Sequence, residues 1–224
     1  MKIYEINEFF DLSHTIAAPL FEGKRFAWQV LPEIKEFILK IGKTLPKSEY
    51  DNPAEGIWIA KSAKVAPTAA ITAPCIIGPN TEVRQCAYLR GSTLIGAGAV
   101  VGNSTELKNC ILFDSVHVPH YNYIGDSVLG YNAHFGAGAV TSNIKSDKTN
   151  VTIRVGNVKL VTGLRKLGAI IGDYTEVGCG AVLNPGTVIG RETTVYPQSV
   201  TRGFIPAKCI YKAPGKITEK KERS

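Results

Sequence analysis

A ladder of aliphatic residues spaced six apart is the feature that most constrains the fold of this 224-residue chain. The ladder is interrupted once and then resumes with the same spacing. Its members are Ile59, Val65, Ile71, Ile77, Val83, Leu89, Ile95, Val101 and Leu107, followed by Ile171, Val177, Leu183, Ile189 and Val195. A small residue precedes most of them by two positions, and glycine often follows.

A period of six matches neither the 3.6-residue period of a helix nor the simple alternation of a strand. It is typical of hexapeptide repeats, in which each repeat forms one short strand and a corner, and three repeats form one triangular coil. The aliphatic residue points inwards, the small residue fits the corner, and residues 18 apart stack on one face, roughly 4.8 Å from coil to coil. The sequence therefore predicts an all-β fold, a parallel β-helix over residues 57–206.

Residues 1–56 lack the repeat and are expected to form a small N-terminal helical cap and a linker. Apolar residues fall at helical spacing between Leu31 and Ile41, with charged residues on the other side, and Pro32 lies in a first turn that tolerates proline. We expect shorter helical pieces at residues 6–12 and 17–21. The cap would cover the first coil, whose strand edges are otherwise unpaired.

Residues 143–168 interrupt the repeat and predict an arm that protrudes from the β-helix. Gly156 and Asn157 separate two strand-like runs, which is a signal for a two-residue hairpin. Before the arm, the register slips by one residue at Leu112 and again at Leu129, and such slips mark corners that redirect side chains. We expect the β-helix to close near residue 206 and residues 207–224 to form a solvated tail.

The composition excludes several classes of protein. Hydrophobic residues make up 44% and charged residues 20% of the chain, as in ordinary globular proteins. We expect neither a signal peptide nor a membrane span, because no suitable apolar run is present. Despite a net charge of +7, no basic helix or aromatic motif suggests nucleic-acid binding. The five cysteines form no Cys-x-x-Cys pair and fit free thiols in the cytoplasm.

Four short motifs carry a family resemblance: Val118-Pro-His-Tyr-Asn-Tyr-Ile-Gly-Asp126, Gly136-Ala-Gly138, Thr141-Ser-Asn143 and Gly163-Leu-Arg-Lys-Leu-Gly168. With the repeat, they resemble the left-handed β-helix of hexapeptide acyltransferases. The resemblance is to the acetyltransferase domain of UDP-N-acetylglucosamine pyrophosphorylase/glucosamine-1-phosphate acetyltransferase, and even more to the C-terminal domain of archaeal-type sugar-1-phosphate nucleotidylyltransferases. It covers about residues 57–206 and implies acetyl-CoA as co-substrate, no metal requirement, and a homotrimer with sites between subunits.

For the acceptor, the resemblance implies specific roles. His120 matches the general base that takes a proton from the sugar amino group. Arg90 and Lys108 match residues that hold the sugar phosphate, and Tyr123 and Asn143 match sugar contacts. A family lysine falls at Lys148 or the nearby Lys145, and Lys148 is taken as a further substrate contact.

For the coenzyme, the resemblance places the backbone N–H of Ala137 near the thioester carbonyl. Cys179, Arg165 and Lys166 are further coenzyme-binding candidates, and Lys212 is the nearest basic residue after the last coil. The sequence departs from the family pattern at three positions. His134 replaces an asparagine, and Cys179 and Pro197 replace small serine or alanine residues.

Physical arguments support part of this assignment. Arg90 and Lys108 are 18 residues apart, so they should stack on one face. Their like charges would repel each other there, and a bound phosphate dianion would relieve that repulsion. His120 is a candidate general base because histidine is the side chain most often used for proton transfer at neutral pH. Tyr123 and Asn143 taken alone would be weak signals.

The sequence thus predicts an acetyl-CoA-dependent N-acetyltransferase acting on an amino-sugar 1-phosphate, glucosamine 1-phosphate by default. No nucleotidyltransferase domain is expected, because residues 1–56 lack a glycine-rich phosphate-binding loop. One alternative is a non-catalytic β-helix that binds a sugar phosphate. Another resembles gamma-class carbonic anhydrase: His117 and His134 would stack on adjacent coils and, with His120 of a neighbouring subunit, form a three-histidine zinc site.

Overall fold

The computed structural model describes residues 5–220, and its main body is the predicted left-handed parallel β-helix. Each coil contributes to three faces, numbered here in chain order. Face 1 consists of strands Ile57–Ala60, Cys75–Ile77, Thr93–Ile95, Ala169–Ile171, Thr187–Ile189 and Phe204–Ile205, and of the second halves of Glu106–Leu112 and Tyr123–Leu129. Face 2 consists of Lys64–Val65, Glu82–Val83, Val100–Asn103, His117–His120, His134–Phe135, Glu176–Val177, Thr194–Val195 and Cys209–Ala213. Face 3 consists of Ala70–Thr72, Tyr88–Arg90, the first halves of Glu106–Leu112 and Tyr123–Leu129, Val140–Thr141, Val182–Leu183 and Val200–Thr201.

The inside of the prism is filled by the aliphatic ladder. Ile77 pairs in register with Ile95, Ile95 with Leu112 and Leu112 with Leu129, and all four side chains are fully buried. The last two pairs are 17 residues apart instead of 18, so the predicted register slips are confirmed as two coils that are shorter by one residue.

The corners use backbone conformations that few residues adopt. Asn80, Ser92, Asn109, Asp126 and Asn132 all have φ between 47° and 55°. Asparagine, aspartate and serine suit such corners because their short polar side chains hydrogen-bond locally, whereas most side chains are disfavoured at positive φ. The small polar residues of the repeat therefore specify the corners as the aliphatic residues specify the interior.

The N-terminal segment contains the predicted helices, but it lies along face 1 instead of over the first coil. From residue 5 onwards, this segment contains three 3₁₀ helices and two α-helices: Ile6–Glu8, Leu12–His14, Ala18–Phe21 (α), Ala27–Glu33 and Ile34–Gly42 (α). Helix Ile34–Gly42 packs against the face 1 strands Cys75–Ile77, Thr93–Ile95 and Glu106–Leu112. The edge of the first coil is covered by strand Tyr50–Ala54, which pairs antiparallel with Ile57–Ala60.

An apolar outward row explains this placement. The central residue of each face 1 strand points away from the prism because side chains alternate along a strand. Six of these residues are nonetheless almost completely buried, being at most 2% exposed: Ile76, Leu94, Ile111, Val128, Ile170 and Val188. Face 1 therefore needs a cover.

The arm and the C-terminal segment pack more closely against the β-helix than the sequence suggests. Strands Thr152–Val155 and Val158–Val161 form the predicted hairpin, while Val151 and Ile153 at its base are buried against the β-helix. Strand Cys209–Ala213 extends face 2, and Lys216–Glu219 folds back on it antiparallel. Up to residue 220, the segment expected to be a tail therefore forms a closing hairpin.

No helix between residues 5 and 220 combines the length and apolarity needed to cross a membrane. All five cysteines are free, with Cys75, Cys110 and Cys209 buried and Cys86 and Cys179 exposed. Burial raises the pKa of the Cys75 thiol to about 12, so this thiol is unreactive in the folded chain.

Candidate functional site

His120, Ala137, Cys179 and Pro197 form one continuous row along the corner between faces 2 and 3. We call it the corner row. Successive members belong to successive coils, because the N–H of Gly138 donates to the carbonyl of His120 at 3.0 Å, and the N–H of Gly180 to that of Ala137 at 2.8 Å. The N–H of Gln198 donates likewise to the carbonyl of Cys179 at 2.8 Å. The arm separates Ala137 from Cys179 in sequence by 42 residues, yet the structure brings them into adjacent coils.

A buried asparagine that the sequence motifs did not indicate as functional holds the corner at His120. Asn122 is 2% exposed, and its Oδ1 accepts a hydrogen bond from the N–H of His120 at 3.1 Å. Its Nδ2 donates to the carbonyls of Gly136 and Ala139, at 2.9 and 3.0 Å. Asn122 thus connects the coil that carries His120 to the coil that carries Ala137. Only its place two residues after His120 could have indicated this role.

The corner row presents free backbone donors and open space. Among residues 5–220, no acceptor takes a hydrogen bond from the N–H of Ala137 or Cys179. A Cβ added at Gly138 would meet no atom within 4 Å. Lys212, the basic residue expected after the last coil, places its Nζ 5.5 Å from the ring centroid of Tyr196, which precedes Pro197. An extended ligand could therefore run along the corner row and meet backbone donors and a cation.

Face 3 connects the corner row to a buried carboxylate. Tyr123 and Asn143 meet through Asn143 Nδ2, which donates to Tyr123 Oη at 3.1 Å and to Asp126 Oδ2 at 2.5 Å. Asp126 is 4% exposed and also accepts from Asn109 Nδ2 at 2.9 Å. Burial, with Asp126 and Glu106 nearby, raises the pKa of Tyr123, so its phenol stays protonated and can donate at neutral pH.

Arg90 and Lys108 stack on face 3 as predicted, but each already has a carboxylate partner. Arg90 Nη1 lies 2.6 Å from Glu106 Oε1, and Lys108 Nζ lies 3.4 Å from Asp126 Oδ2. Glu106 thereby raises the pKa of Arg90. The expected repulsion between two unpaired cations is therefore not what the structure contains. Glu106 lies on the neighbouring strand and Asp126 at the next corner, and the spacing of the two cations does not indicate either partner.

Lys148, Arg165 and Lys166 lie on the other side of face 3 from the corner row. They line a cleft of about 670 Å³ between the base of the arm and residues Leu31 and Pro32 of the N-terminal segment. We call it the arm cleft. Arg165 and Lys166 were expected to contact the coenzyme beside Ala137 and Cys179. Within one chain, the structure groups them with Lys148 and Asp126 instead.

The stacking of His117 and His134 is confirmed: they are in register on adjacent strands of face 2, with ring centroids 6.1 Å apart. Burial, then the neighbouring His134, lowers the pKa of His117 and favours its neutral form. In the described part of the chain, no three histidine, cysteine, aspartate or glutamate side chains are grouped closely enough to hold a metal ion. His120 lies at the end of the same strand as His117, three residues further along.

Comparison with known proteins places these features in a family. A family profile described as "GMPPB C-terminal domain" matches residues 71–163. The "Bifunctional protein GlmU" of Methanococcus maripaludis is 33% identical over 197 residues, which is 87% of this chain and 48% of that protein. The chain thus spans about half the length of this relative. The "Putative uncharacterized acetyltransferase YaiX" of Escherichia coli is 30% identical over 156 residues, covering 70% of this chain and 68% of that protein. Among solved structures, a putative acetyltransferase of Bacillus cereus aligns with 20% identity and a TM-score of 0.41, over 72% of this chain and 76% of that one.

Proposed function

This chain belongs to the hexapeptide-repeat acyltransferases, and on that premise we propose that it transfers the acetyl group of acetyl-CoA to the amino group of an amino-sugar 1-phosphate. Glucosamine 1-phosphate is the first acceptor to test. The observation that carries the proposal is the corner row, which brings a histidine, unbonded backbone N–H groups and open space into line. We also propose that the protein is a homotrimer in the cytoplasm, with neighbouring subunits completing each site.

The chemistry follows from the order of groups along the row. His120 takes a proton from the acceptor ammonium group, and the free amine then attacks the thioester carbonyl. A C–N bond forms and the C–S bond breaks. The nitrogen then loses its second proton, which leaves with the thiolate as free CoA, while the first proton passes from His120 to solvent. The N–H of Ala137 faces the developing oxyanion, where a preorganised donor is most effective. Asn122 keeps His120 and Ala137 in register through its bonds to both coils.

Tyr123 and Asn143 are proposed to position the sugar ring. Their side chains are joined to each other and to Asp126, so their orientations are fixed before a ligand arrives. A fixed site lowers the entropy lost on orienting the acceptor amine near the base. Acetyl-CoA is proposed to lie along Ala137, Cys179 and Pro197.

The direct test is release of free CoA thiol from acetyl-CoA in the presence of a panel of amino sugars and their 1-phosphates. We expect rapid release with an amino-sugar 1-phosphate and slow release with the free sugar. A protein that binds the sugar phosphate and acetyl-CoA but releases no thiol with any member of the panel would instead be a non-catalytic binding protein. Chelator treatment is expected to leave acetyl transfer unchanged, and a loss of activity restored by zinc would favour the zinc alternative at His117 and His134.

A further inference from the structure

Tyr121, the residue after His120, is an exposed aromatic side chain without a partner in the described part of the chain. It is 64% exposed, and between residues 5 and 220 its side chain takes part in no hydrogen bond and no ring contact. Its φ of 52° lies in the left-handed region, where bulky side chains are disfavoured. By contrast, Tyr174 at another corner packs its ring against that of Tyr131, with the centroids 5.3 Å apart. Packing within one chain therefore does not explain a tyrosine at position 121.

Open space lies beside Tyr121 along the β-helix. Four left-handed corner residues of successive coils, each one residue after a member of the corner row, are Tyr121, Gly138, Gly180 and Gln198. We call them the left-handed row. A Cβ added at Gly138 would meet no atom of residues 5–220 within 4 Å, and one at Gly180 would meet only the Cγ of Gln198, at 3.7 Å. Tyr121 and Gln198 therefore bound a recess about 14 Å long, three coil steps at roughly 4.8 Å each.

The order of groups along the corner row decides which part of the substrates meets Tyr121. In the proposed function, the N–H of Ala137 binds the thioester oxygen and the coenzyme continues past Cys179 and Pro197. The sulfur therefore lies on the Cys179 side of the carbonyl carbon. Because a thioester group is planar, its acyl chain points away from the sulfur. The acyl chain thus extends towards the preceding coil, which carries His120 and Tyr121.

The corner that carries Tyr121 is fixed from both sides. The N–H of Tyr121 donates to the carbonyl of Asn103 on the preceding coil, at 2.9 Å. The next residue, Asn122, is buried and donates to the carbonyls of Gly136 and Ala139 on the following coil. The ring can turn about its side-chain bonds, but its Cα cannot withdraw from the recess. A bulky group on such a fixed corner is suited to act as a steric stop.

We propose that Tyr121 limits the length of the acyl group that this protein transfers, because its ring closes the recess at the end beside His120. This inference rests on the proposed function and narrows the donor to short acyl-CoAs, with acetyl-CoA preferred. An acetyl group ends at its methyl carbon, whereas a butyryl chain continues towards the ring by two further carbons. That chain must either press on the ring or turn the carbonyl oxygen away from the N–H of Ala137. Tyr121 also lies two residues before the proposed sugar contact Tyr123, so the experiment must separate the acyl group from the acceptor.

The test compares Tyr121→Ala with two control variants of the full chain. Tyr121→Phe keeps the ring and removes only the hydroxyl group, and Gln198→Ala removes an exposed side chain at the opposite end of the same recess. Both positions are exposed corners, so folding should be retained, which thermal unfolding and the oligomeric state by light scattering will verify. Thiol release from acetyl-CoA, propionyl-CoA and butyryl-CoA is measured with glucosamine 1-phosphate as acceptor. Binding of each acyl-CoA without acceptor is measured by calorimetry.

We expect the kcat/KM of the wild type to be at least about tenfold lower for butyryl-CoA than for acetyl-CoA, because one misfitting methylene already changes specificity by about that factor. Tyr121→Ala should reduce this difference to about twofold by raising the value for butyryl-CoA, while the KM for glucosamine 1-phosphate stays within about twofold. Tyr121→Phe and Gln198→Ala should discriminate between the acyl-CoAs as the wild type does.

Two results would overturn the proposal outright: a wild type that uses butyryl-CoA as well as acetyl-CoA, or a Tyr121→Ala variant that still rejects butyryl-CoA. A rise confined to the KM for glucosamine 1-phosphate would assign the ring to the acceptor and overturn it too. A changed oligomeric state of Tyr121→Ala would assign the ring to a contact between subunits, with the same consequence.

Binding without acceptor separates this inference from the proposed function. If no acyl-CoA releases thiol, the transfer activity fails. The role of Tyr121 then stands if the wild type binds acetyl-CoA more tightly than butyryl-CoA and Tyr121→Ala binds both alike, and it fails otherwise. If acetyl-CoA releases thiol but Tyr121→Ala discriminates between the acyl-CoAs like the wild type, the transfer activity stands and the role of Tyr121 fails.

Discussion

Faces 1 and 3 are built from the same repeat, with the same inward aliphatic residues, but their outward rows differ in chemistry. On face 1, the outward residues are aliphatic from Ile76 to Val188, and the N-terminal segment covers most of them. On face 3, several outward residues of the middle coils are polar, including Arg90, Lys108 and Tyr123. The inward ladder therefore determines the fold, whereas the outward rows determine which face is covered and which is left for a ligand.

The contrast is strongest at His120, beside face 3, where we expect the largest effect. Replacing His120 by alanine should lower kcat by about 10²–10⁴-fold, because the proton acceptor is lost from the chemical step. The KM for the sugar phosphate should stay within a few-fold, since His120 contributes little to ground-state binding. Steady-state kinetics of thiol release measure both constants. A wild-type kcat would show that face 3 does not border the reacting groups.

Lys108 and Arg90 sharpen the comparison within face 3, because only Lys108 neutralises a buried carboxylate. Lys108→Ala should reduce the free energy of unfolding by about 1–3 kcal/mol, since Asp126 loses a charged partner while 4% exposed. Arg90 and Glu106 are more exposed, at 43% and 32%, so Arg90→Ala should cost less than about 1 kcal/mol. Urea denaturation measures both. Equal losses of unfolding free energy in the two variants would mean that the burial of Asp126 does not strengthen its interaction with Lys108.

Both substitutions should raise the KM for the sugar phosphate only modestly, because Arg90 and Lys108 are already paired with carboxylates. A large rise in the KM of either variant would show that this cation of face 3 holds the phosphate.

A pair of valines tests the difference between a covered and an open face directly. Val128 lies on the outward row of face 1 and is fully buried, whereas Val140 lies outward on face 3 and is only partly buried. Val128→Ala should reduce the free energy of unfolding by about 2 kcal/mol, at about 0.8 kcal/mol for each methylene-sized group plus a cavity term. Val140→Ala should cost less than half as much. Equal costs would imply that face 3 is covered as well.

The smallest expected effect is on the pH dependence of stability, and it arises from His117 on face 2. Burial and His134 lower this pKa below its ordinary value of 6.5, so the folded chain keeps His117 neutral where the unfolded chain takes up a proton. Its contribution to stability is therefore present above pH 6.5 and is lost as the pH falls below that value. His117→Gln should show a smaller drop in Tm than the wild type between about pH 7.5 and about pH 5.5. An identical drop in both proteins would contradict the shift.

The sequence was sufficient to predict the features of the fold that depend on local sequence patterns. The inward ladder, the shorter coils at Leu112 and Leu129, and the hairpin at Gly156 all follow from local patterns, and the structure contains each of them. The placement of the N-terminal segment could also have been predicted, because the outward residues of face 1 are aliphatic. The outward row of face 1 recurs with the period of the repeat, as the inward ladder does, so the two rows are hard to tell apart in the sequence.

The partners of the site residues could not be predicted in the same way. Asp126 meets Lys108 and Asn143 because it occupies a corner with φ of 47°, and no spacing rule says where a corner side chain will point. Lys166 lines the same cleft as Lys148 because the two ends of the arm are bridged at Ile144 and Lys166, which depends on contacts across the whole segment. Pairing between distant side chains requires the three-dimensional arrangement.

Protection of Cys179 from alkylation tests most directly whether the coenzyme lies along the corner row. Cys179 and Cys86 are both exposed, and Cys86 lies on an earlier coil away from Ala137 and Pro197, so it serves as an internal control. The rates of iodoacetamide labelling of both residues are measured by mass spectrometry with and without acetyl-CoA. At a coenzyme concentration 100 times its Kd, labelling of Cys179 should slow by about 100-fold while labelling of Cys86 is unchanged. Unchanged labelling of Cys179 at saturating acetyl-CoA would contradict the account.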